Sequence, residues 1–443
     1  MRKELKNGLI LRSLSEGIAS DAERLPIHYR DVFKGEGEEF AERLIPWTHD
    51  LIERHPTTTK DDIWVVVDPA ADDKVVSAVL LIPQVWRYGD VLLPVGQIEL
   101  VATDKNYRRR GLIRELIAVA HERCAELGHV MTVIAGIPNY YRQFGYGMTV
   151  DLGTNQVVPF KATPPLKEGD EPEFTLKRAT VDDIPILMQL DDYHAHHFTN
   201  LSVVYTEAEW RYEIAGKHKD SPWSHIILLI MNKEDEPVGY IAIPMTMSSD
   251  RRIAVFTYVV GEKSSYLATF VDVIRGLETF AAENWPEQDL YGVSFSSGVP
   301  EAVDAVANHM FSVAVWKYTY AFYIRVPDYV ELLQRIKPLL ESRLAGSAAN
   351  GYTGELTIGF YTRQYLKLVF EKGKIAAIEM LDAEDDFHPN AQFPYDMFHS
   401  VVMGCRTVDD IRYMHADMGF NSAAKTLFDI MFPLKRPTIS MTG

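Results

Sequence analysis

Two helical stretches open the chain: from Ala19 to Arg30 and from Phe40 to Glu53 the apolar positions fall at helical spacing. β-Branched runs at Ile63–Val67 and Val75–Ile82, joined by the turn DPAADDK, predict paired strands. From Gln97 to Thr103 the residues Ile98, Leu100 and Ala102 alternate with Glu99, Val101 and Thr103, the period of a third strand. A polar loop, DKNYRRR, then leads to Gly111. Ile113, Leu116, Ile117, Ala120, Cys124 and Leu127 recur at helical spacing beyond it, with Gly128 as the stop. Val130–Ala135 predicts another strand. A hairpin, a strand, a helix and a strand make an α/β layout.

A looser copy begins near Leu176, where LKRATVDDIPILMQL echoes LILRSLSEGIASDAERL of the start. Strands are predicted at His225–Met231, Val238–Ile243, Ile253–Val260 and Leu290–Phe295, with a helix over Ser265–Asn284. A period this long points to a duplicated domain rather than a short-repeat solenoid. The stretch VVPFKATPPLKEGDEPEF between the copies is Pro- and charge-rich and predicts a linker. Past Val326 the pattern changes. Tyr329–Leu344 predicts a helix, Glu355–Phe360, Tyr365–Phe370 and Ile375–Met380 predict strands, and helical segments run on to Met431. The expected division is 1–155, 156–325 and 326–443, the last of α+β type.

Composition narrows the function. A chain of 443 residues is too long for one core. Its formal charge of −17 disfavours a nucleic-acid partner, which needs a basic footprint, and suits a cationic small molecule or plain solubility. Two cysteines, Cys124 and Cys405, exclude a disulfide framework and fit a reducing, cytoplasmic compartment. No apolar run approaches the roughly 20 residues that span a bilayer, so no membrane partner is expected.

The chemistry concentrates in LVATDKNYRRRGLIR, Leu100 to Arg114. A strand enters a loop of three arginines and a glycine, and a helix starts there. Unpaired backbone N–H groups and the positive dipole end make a helix N-terminus a pyrophosphate seat. A glycine lets the backbone approach closely, and arginines add charge-assisted hydrogen bonds. With Arg108, Gly111 and Ile113 in its signature positions, this stretch resembles the acyl-CoA loop of the GNAT superfamily of N-acetyltransferases. Ile113 departs from the small residue usual there, while RRRGL is similar to loops of the enhanced intracellular survival (Eis) branch, the aminoglycoside acetyltransferases. That resemblance implies tandem GNAT domains, the second degenerate, followed by a sterol-carrier-protein-like domain. It also implies acetyl-CoA as co-substrate, no metal, a small-molecule amine as acceptor and a homo-oligomer, hexameric in the branch. Val101, Ala102 and Thr103 match the strand that binds the pantetheine arm, where a bulge can aim an N–H at the thioester oxygen. Arg109, Arg110, Gly111, Leu112, Ile113 and Arg114 match the diphosphate loop.

GIPNYYRQFGYG, Gly136 to Gly147, is similar to the family's Y-x-x-F-G-Y-G motif, and Tyr141 falls on its general acid. Expulsion of a free thiolate is costly, and a phenol in reach can protonate it. Tyr140 is the rival, and clustered aromatics also simply close cores. No base stands out. In the resembled branch the C-terminal carboxylate, here of Gly443, reaches the site, although TISMTG lacks the aromatic residue expected at the end. Glu36, Glu38 and Glu39 read as a solvated helix start, Cys124 as core, and His194, His196 and His197 as a helix face rather than a metal site. The second copy carries VVGEKSSYLATF where the arginine loop would stand, so it keeps no cofactor site. The expected reaction is acetyl transfer to a primary amine by direct attack in a ternary complex. The alternatives are a protein lysine acceptor, or an apolar-ligand-binding protein with a vestigial transferase domain.

Overall fold

A computed structural model describes residues 1–152, 156–246, 251–295, 301–310, 321–383 and 387–439. Its largest sheet has nine strands. A long hairpin, Lys74–Tyr88 against Val91–Thr103, forms its centre; the strand expected over Val75–Ile82 runs on to Tyr88, and the one expected over Gln97–Thr103 begins already at Val91. Ile63–Asp68, Ile10–Ser13 and Arg2–Glu4 continue the sheet on one side. On the other side Met131–Ile134 pairs in parallel with Val91–Thr103.

The next strand comes from far along the chain. Ala321–Arg325 lies between Met131–Ile134 and Gly147–Asp151 and hydrogen-bonds to both. Leu201–Val204 likewise adds to the far end of Lys74–Tyr88. Neither strand was expected in this sheet: the sequence assigns both segments to the second copy, and short apolar runs carry no record of their partners. The sheet therefore needs residues beyond 155 to be complete.

Helices cover both faces of the sheet. Ala19–Phe33 and Glu38–Glu53 bury Leu25, Tyr29, Leu44, Trp47 and Leu51 on one face, against Val65, Leu80, Leu100 and Ala102. Leu112–Glu126 buries Leu116, Ile117, Ala120 and Cys124 on the other, against Val66, Leu81 and Ile98. Ile98 and Leu100 thus lie on opposite faces, contrary to the simple alternation expected for Gln97–Thr103. The reason is a bulge. The register against Lys74–Tyr88 slips between Ala78 and Leu80, and Leu100 takes φ +50°.

The second copy contains two smaller sheets. Thr257–Val260, Pro237–Pro244, His225–Met231 and Thr175–Arg178 form one, and Arg252–Val255, Gly292–Phe295 and Gln156–Pro159 the other. The single strand expected over Ile253–Val260 is broken at Phe256, and its halves pair in different sheets. The expected linker begins as a strand, Gln156–Pro159, and buries Phe160. In the C-terminal part the helix Tyr329–Ala345 packs on a five-stranded sheet. Its core of Tyr329, Phe360, Phe393 and Phe398 is continuous with Tyr88, Val95 and Ile324 of the large sheet.

Ile324 is fully buried between two strands of the large sheet. Ile324→Ala should cost about 2–5 kcal/mol, the range for emptying a core site. Urea unfolding should show a lower midpoint at an unchanged slope.

Candidate active site

The parallel strands Val91–Thr103 and Met131–Ile134 pair only from Val95 to Gln97 against Met131 to Val133. Beyond Gln97 they part, and the gap opens into two adjoining cavities. The first, of about 530 Å³, is lined by Val101, Ala102, Thr103, Arg108, Arg109, Gly111, Leu112, Ile113 and Arg114 and closed by Tyr140, Tyr141 and Phe144. The second, of about 560 Å³, runs under Phe33, Phe40 and Trp47 and past Gln97 to Val101. Phe33, Glu36, Val101, Ile137 and Tyr141 line both.

The first cavity gathers the expected diphosphate loop with one exception. Arg110 is absent from its lining: the guanidinium stacks 4.6 Å over the Tyr107 ring and donates to the Asn106 carbonyl at 3.1 Å. Arg108 lines the cavity and donates to the Thr103 carbonyl at 3.3 Å. Arg109 sits at φ +63° and Gly111 at φ +79°, so the backbone turns sharply into the helix Leu112–Glu126. Gly111 has no side chain to cap that helix, and its first-turn N–H groups stay available to an anion. A Cβ at Gly111 would meet open space on the cavity side.

Leu100 is the second strained position. Left-handed φ costs a non-glycine residue roughly 1–3 kcal/mol and persists where packing imposes it. Here the bulge holds it, and the alternation resumes one residue out of phase, with Glu99 and Leu100 together on the wall of the second cavity. Gln97 donates to the Glu99 carboxylate at 2.7 Å. Burial raises the Glu99 carboxyl to about 7, against the Gln97 amide and the Leu100 N–H, which favour its ionised form. Alternation alone set Glu99 opposite Leu100, so the sequence offered no base. The one signal it held was a single acid inside the strand Val91–Thr103.

Tyr141 is 4% exposed and lines both cavities. Gly136 lets the chain pass close to its ring: a Cβ there would sit 2.6 Å from a ring carbon. Tyr140 packs edge-on against it at 5.2 Å, and Tyr323 at 5.7 Å. The Tyr323 hydroxyl accepts from the Asn139 N–H at 2.5 Å and reaches the Ile137 carbonyl at 3.4 Å, so a strand from late in the chain pins the Gly136–Tyr140 turn. Tyr140 lines the first cavity only. Tyr146 is fully buried and bonded to His121 at 2.8 Å, a core role. Glu36 is exposed, yet it stands at the mouth of both cavities rather than in bulk solvent alone. Burial pushes the Cys124 thiol up to about 12, which leaves it protonated and inert. Among the histidines, His194 is buried and stacked on Phe198, while His196 and His197 are exposed. Gly443 lies outside the described residues.

Residues 18–149, which carry most of this site, match the sequence model of the Acetyltransferase (GNAT) domain family. They form a GNAT acetyltransferase domain. Within the chain a stretch of 65 residues is 37% identical to the N-acetyltransferase Eis of Mycobacterium tuberculosis. That stretch spans 14% of this chain and 16% of that protein, a small part of each. In three dimensions the alignable region extends over nearly the whole chain. A GCN5-related N-acetyltransferase from Anabaena variabilis aligns with a TM-score of 0.67 at 14% identity, over 97% of this chain and 99% of that one. Eis1 from Mycobacterium abscessus aligns at 0.59 and 14% identity, over 98% of this chain and 100% of that one. The GNAT domain is thus embedded in an Eis-like fold that extends over the whole chain. No helix among the described residues is long and apolar enough to cross a membrane.

Gly111→Val should abolish acetyl-CoA binding. The branched side chain disfavours φ +79° and projects into the cavity. Calorimetry should show one site per chain for the native protein and none for the variant.

Proposed function

We propose that the chain is an acetyl-CoA-dependent N-acetyltransferase that acetylates a primary amine by direct attack in a ternary complex. The observation that carries the reading is the junction of the two cavities. There Tyr141 touches both, the bulged Leu100–Val101 backbone crosses between them, and Glu99 lines the second. The arginine cavity takes the diphosphate of the donor, on Arg108, Arg109, Arg114 and the N–H groups that follow Gly111. Val101 to Thr103 receive the pantetheine arm, and a backbone N–H of the bulge faces the thioester oxygen, where charge develops as the amine adds.

Glu99 is the general base of this reading. An alkylammonium has a pKa of about 10.4 in water and must lose its proton before attack. A carboxylate with a raised pKa is basic enough to take that proton near neutrality. The C–N bond forms as the C–S bond breaks, the electron pair leaves on sulfur, and Tyr141 supplies the proton that makes it a thiol. With Glu99 in place the reading does not need the Gly443 carboxylate. The ring-filled core behind Tyr329 favours the enzyme over an apolar-ligand carrier, although residues 326–443 keep the expected sterol-carrier-like layout in our proposal. The division at 155 and 325 holds in it only loosely, because the working sheet borrows Leu201–Val204 and Ala321–Arg325. The donor binds to the first copy alone. In the second, Ser265 caps the helix that follows its strand, accepting from the Ala268 N–H at 3.2 Å.

Tyr141→Phe keeps the ring and removes the proton donor. It should lower turnover about 10²–10⁴-fold with acetyl-CoA affinity unchanged. The same pattern in Tyr140→Phe, and not in Tyr141→Phe, would reassign the acid.

Glu99→Gln should lower turnover by a similar factor and remove the rise of kcat/KM with pH that the native enzyme shows through about 7. Its effect on stability has the opposite sign. A carboxyl raised from 4.5 to about 7 by folding costs stability as pH climbs from 4.5 to about 7, where the unfolded chain has lost this proton and the folded one still holds it, and the full cost stands above 7. The variant should therefore melt higher than the native protein at pH 8 and equally near pH 4. A variant that melts lower at pH 8 would show that the carboxylate is structural.

A further inference from the structure

Of the cavities, charged clusters and exposed patches outside the donor site, the second cavity says most about what this chain acts on. Glu36 and Glu99 are the charged side chains among the described residues that line it. No lysine or arginine among the described residues stands on those walls. Its other polar groups are few, and the walls are dominated by Phe33, Phe40, Trp47 and Trp223. Trp47 and Trp223 meet edge to face at 5.9 Å. Trp47 is 3% exposed, and both indole N–H groups are buried without a hydrogen-bond partner among the described residues. Trp223 comes from the second copy, so the pocket is closed by a residue that the GNAT domain itself does not contain.

We infer that the acceptor is an arylalkylamine: a single primary amine carried on an apolar, ring-sized body. The inference rests on the acetyl-transfer reading above and narrows its substrate. Glu99 is near half-ionised at neutral pH, and Glu36 stands at the exposed lip. A polycation such as an aminoglycoside would leave several ammonium groups in the cavity without counter-charges, and an uncompensated buried charge is strongly disfavoured. A single ammonium needs one base, and Glu99 supplies it. The chain then extends toward Trp47 and Trp223, whose ring faces and edges take an aromatic body. A volume of about 560 Å³ holds such a molecule beside the thioester end of the donor. The step balances as acetyl-CoA and the alkylammonium giving the N-acetyl amine, the free thiol and one proton, with no further reactant.

The test is thiol release by the full-length protein with acetyl-CoA and a panel of amines: tryptamine, tyramine, spermidine and kanamycin. The expected result is a kcat/KM for tryptamine or tyramine at least about 10-fold above those for spermidine and kanamycin, the factor that roughly 1.4 kcal/mol of selectivity gives. Phe40→Ala, at a half-buried wall position, should shrink that ratio through KM, with the fold checked by circular dichroism. A higher kcat/KM for either polycation overturns the inference. If acetyl-CoA binds and no amine releases thiol, the acetyl-transfer reading fails instead. Calorimetric titration of tryptamine then decides the pocket separately: binding that Phe40→Ala weakens keeps the ligand class, and no binding removes it.

Discussion

Two parallel strands that hydrogen-bond over three residues and then part are the feature on which this molecule depends. A β-sheet normally satisfies its backbone groups by continuing, and a gap between neighbours leaves N–H and C=O groups to be met by something else. The pair Val91–Thr103 and Met131–Ile134 accepts that cost at Gln97. The bulge at Leu100 comes immediately after and turns two consecutive side chains to one face. Without the bulge, Glu99 and Leu100 would lie on opposite faces of the sheet. A bulge without the gap would have its N–H groups consumed by the next strand. Together they set a polar backbone, a carboxylate and a phenol around one point.

Holding strands apart requires support from outside the pair. Ala321–Arg325 fills the position beside Met131–Ile134 that would otherwise be an open edge, and it pairs on its other side with Gly147–Asp151. Its Tyr323 carries the ring against Tyr141 and the hydroxyl against the Gly136–Tyr140 turn. Trp223 and Phe322 close the second cavity from the same late part of the chain. The site is thus chemically a property of the first third and mechanically a property of the whole. Among the described residues, the C-terminal part contributes by packing, through the continuous core from Val95 by way of Ile324 to Phe398.

These dependencies explain which parts of the molecule could be read in advance. The arginine loop is local: Arg108 to Arg114, a glycine at positive φ and a helix start are all within one short stretch, and the strand before it and the helix after it make the loop readable as an anion seat. The place of Tyr141 at the cavities was legible for the same reason, because Gly136, Tyr140 and Phe144 around it are sequence neighbours. That of Glu99 was not. Its position beside Leu100 on the cavity wall depends on a one-residue slip that alternation cannot reveal, since the hydrophobic pattern of Gln97–Thr103 reads equally well in either phase. Tyr323, Trp223 and the strand Leu201–Val204 were hidden by distance along the chain. The break at Phe256 was hidden because a run of apolar residues predicts a strand without saying how many sheets it serves.

The second copy carries a comparable break in different surroundings. At Phe256 the strand changes sheets much as Val91–Thr103 loses its partner beyond Gln97, so the backbone opportunity is present twice. The space beside it is filled from within. Glu213 pairs with Lys217 at 2.5 Å and with His225 at 3.3 Å, all three buried, and the cavity left among Trp210, Tyr240 and Phe256 is about 20 Å³. That holds one water and no acyl chain. Lys217 and His225 hold the Glu213 carboxyl down near 2 against its burial, so it stays ionised and committed to its partners. Glu99, with an amide and a backbone N–H for company and no cation, rises instead toward neutrality. The two glutamates, near comparable breaks, therefore differ in one respect: Glu213 is paired with cations of its own protein, and Glu99 has only the Gln97 amide and the Leu100 N–H to favour its charge.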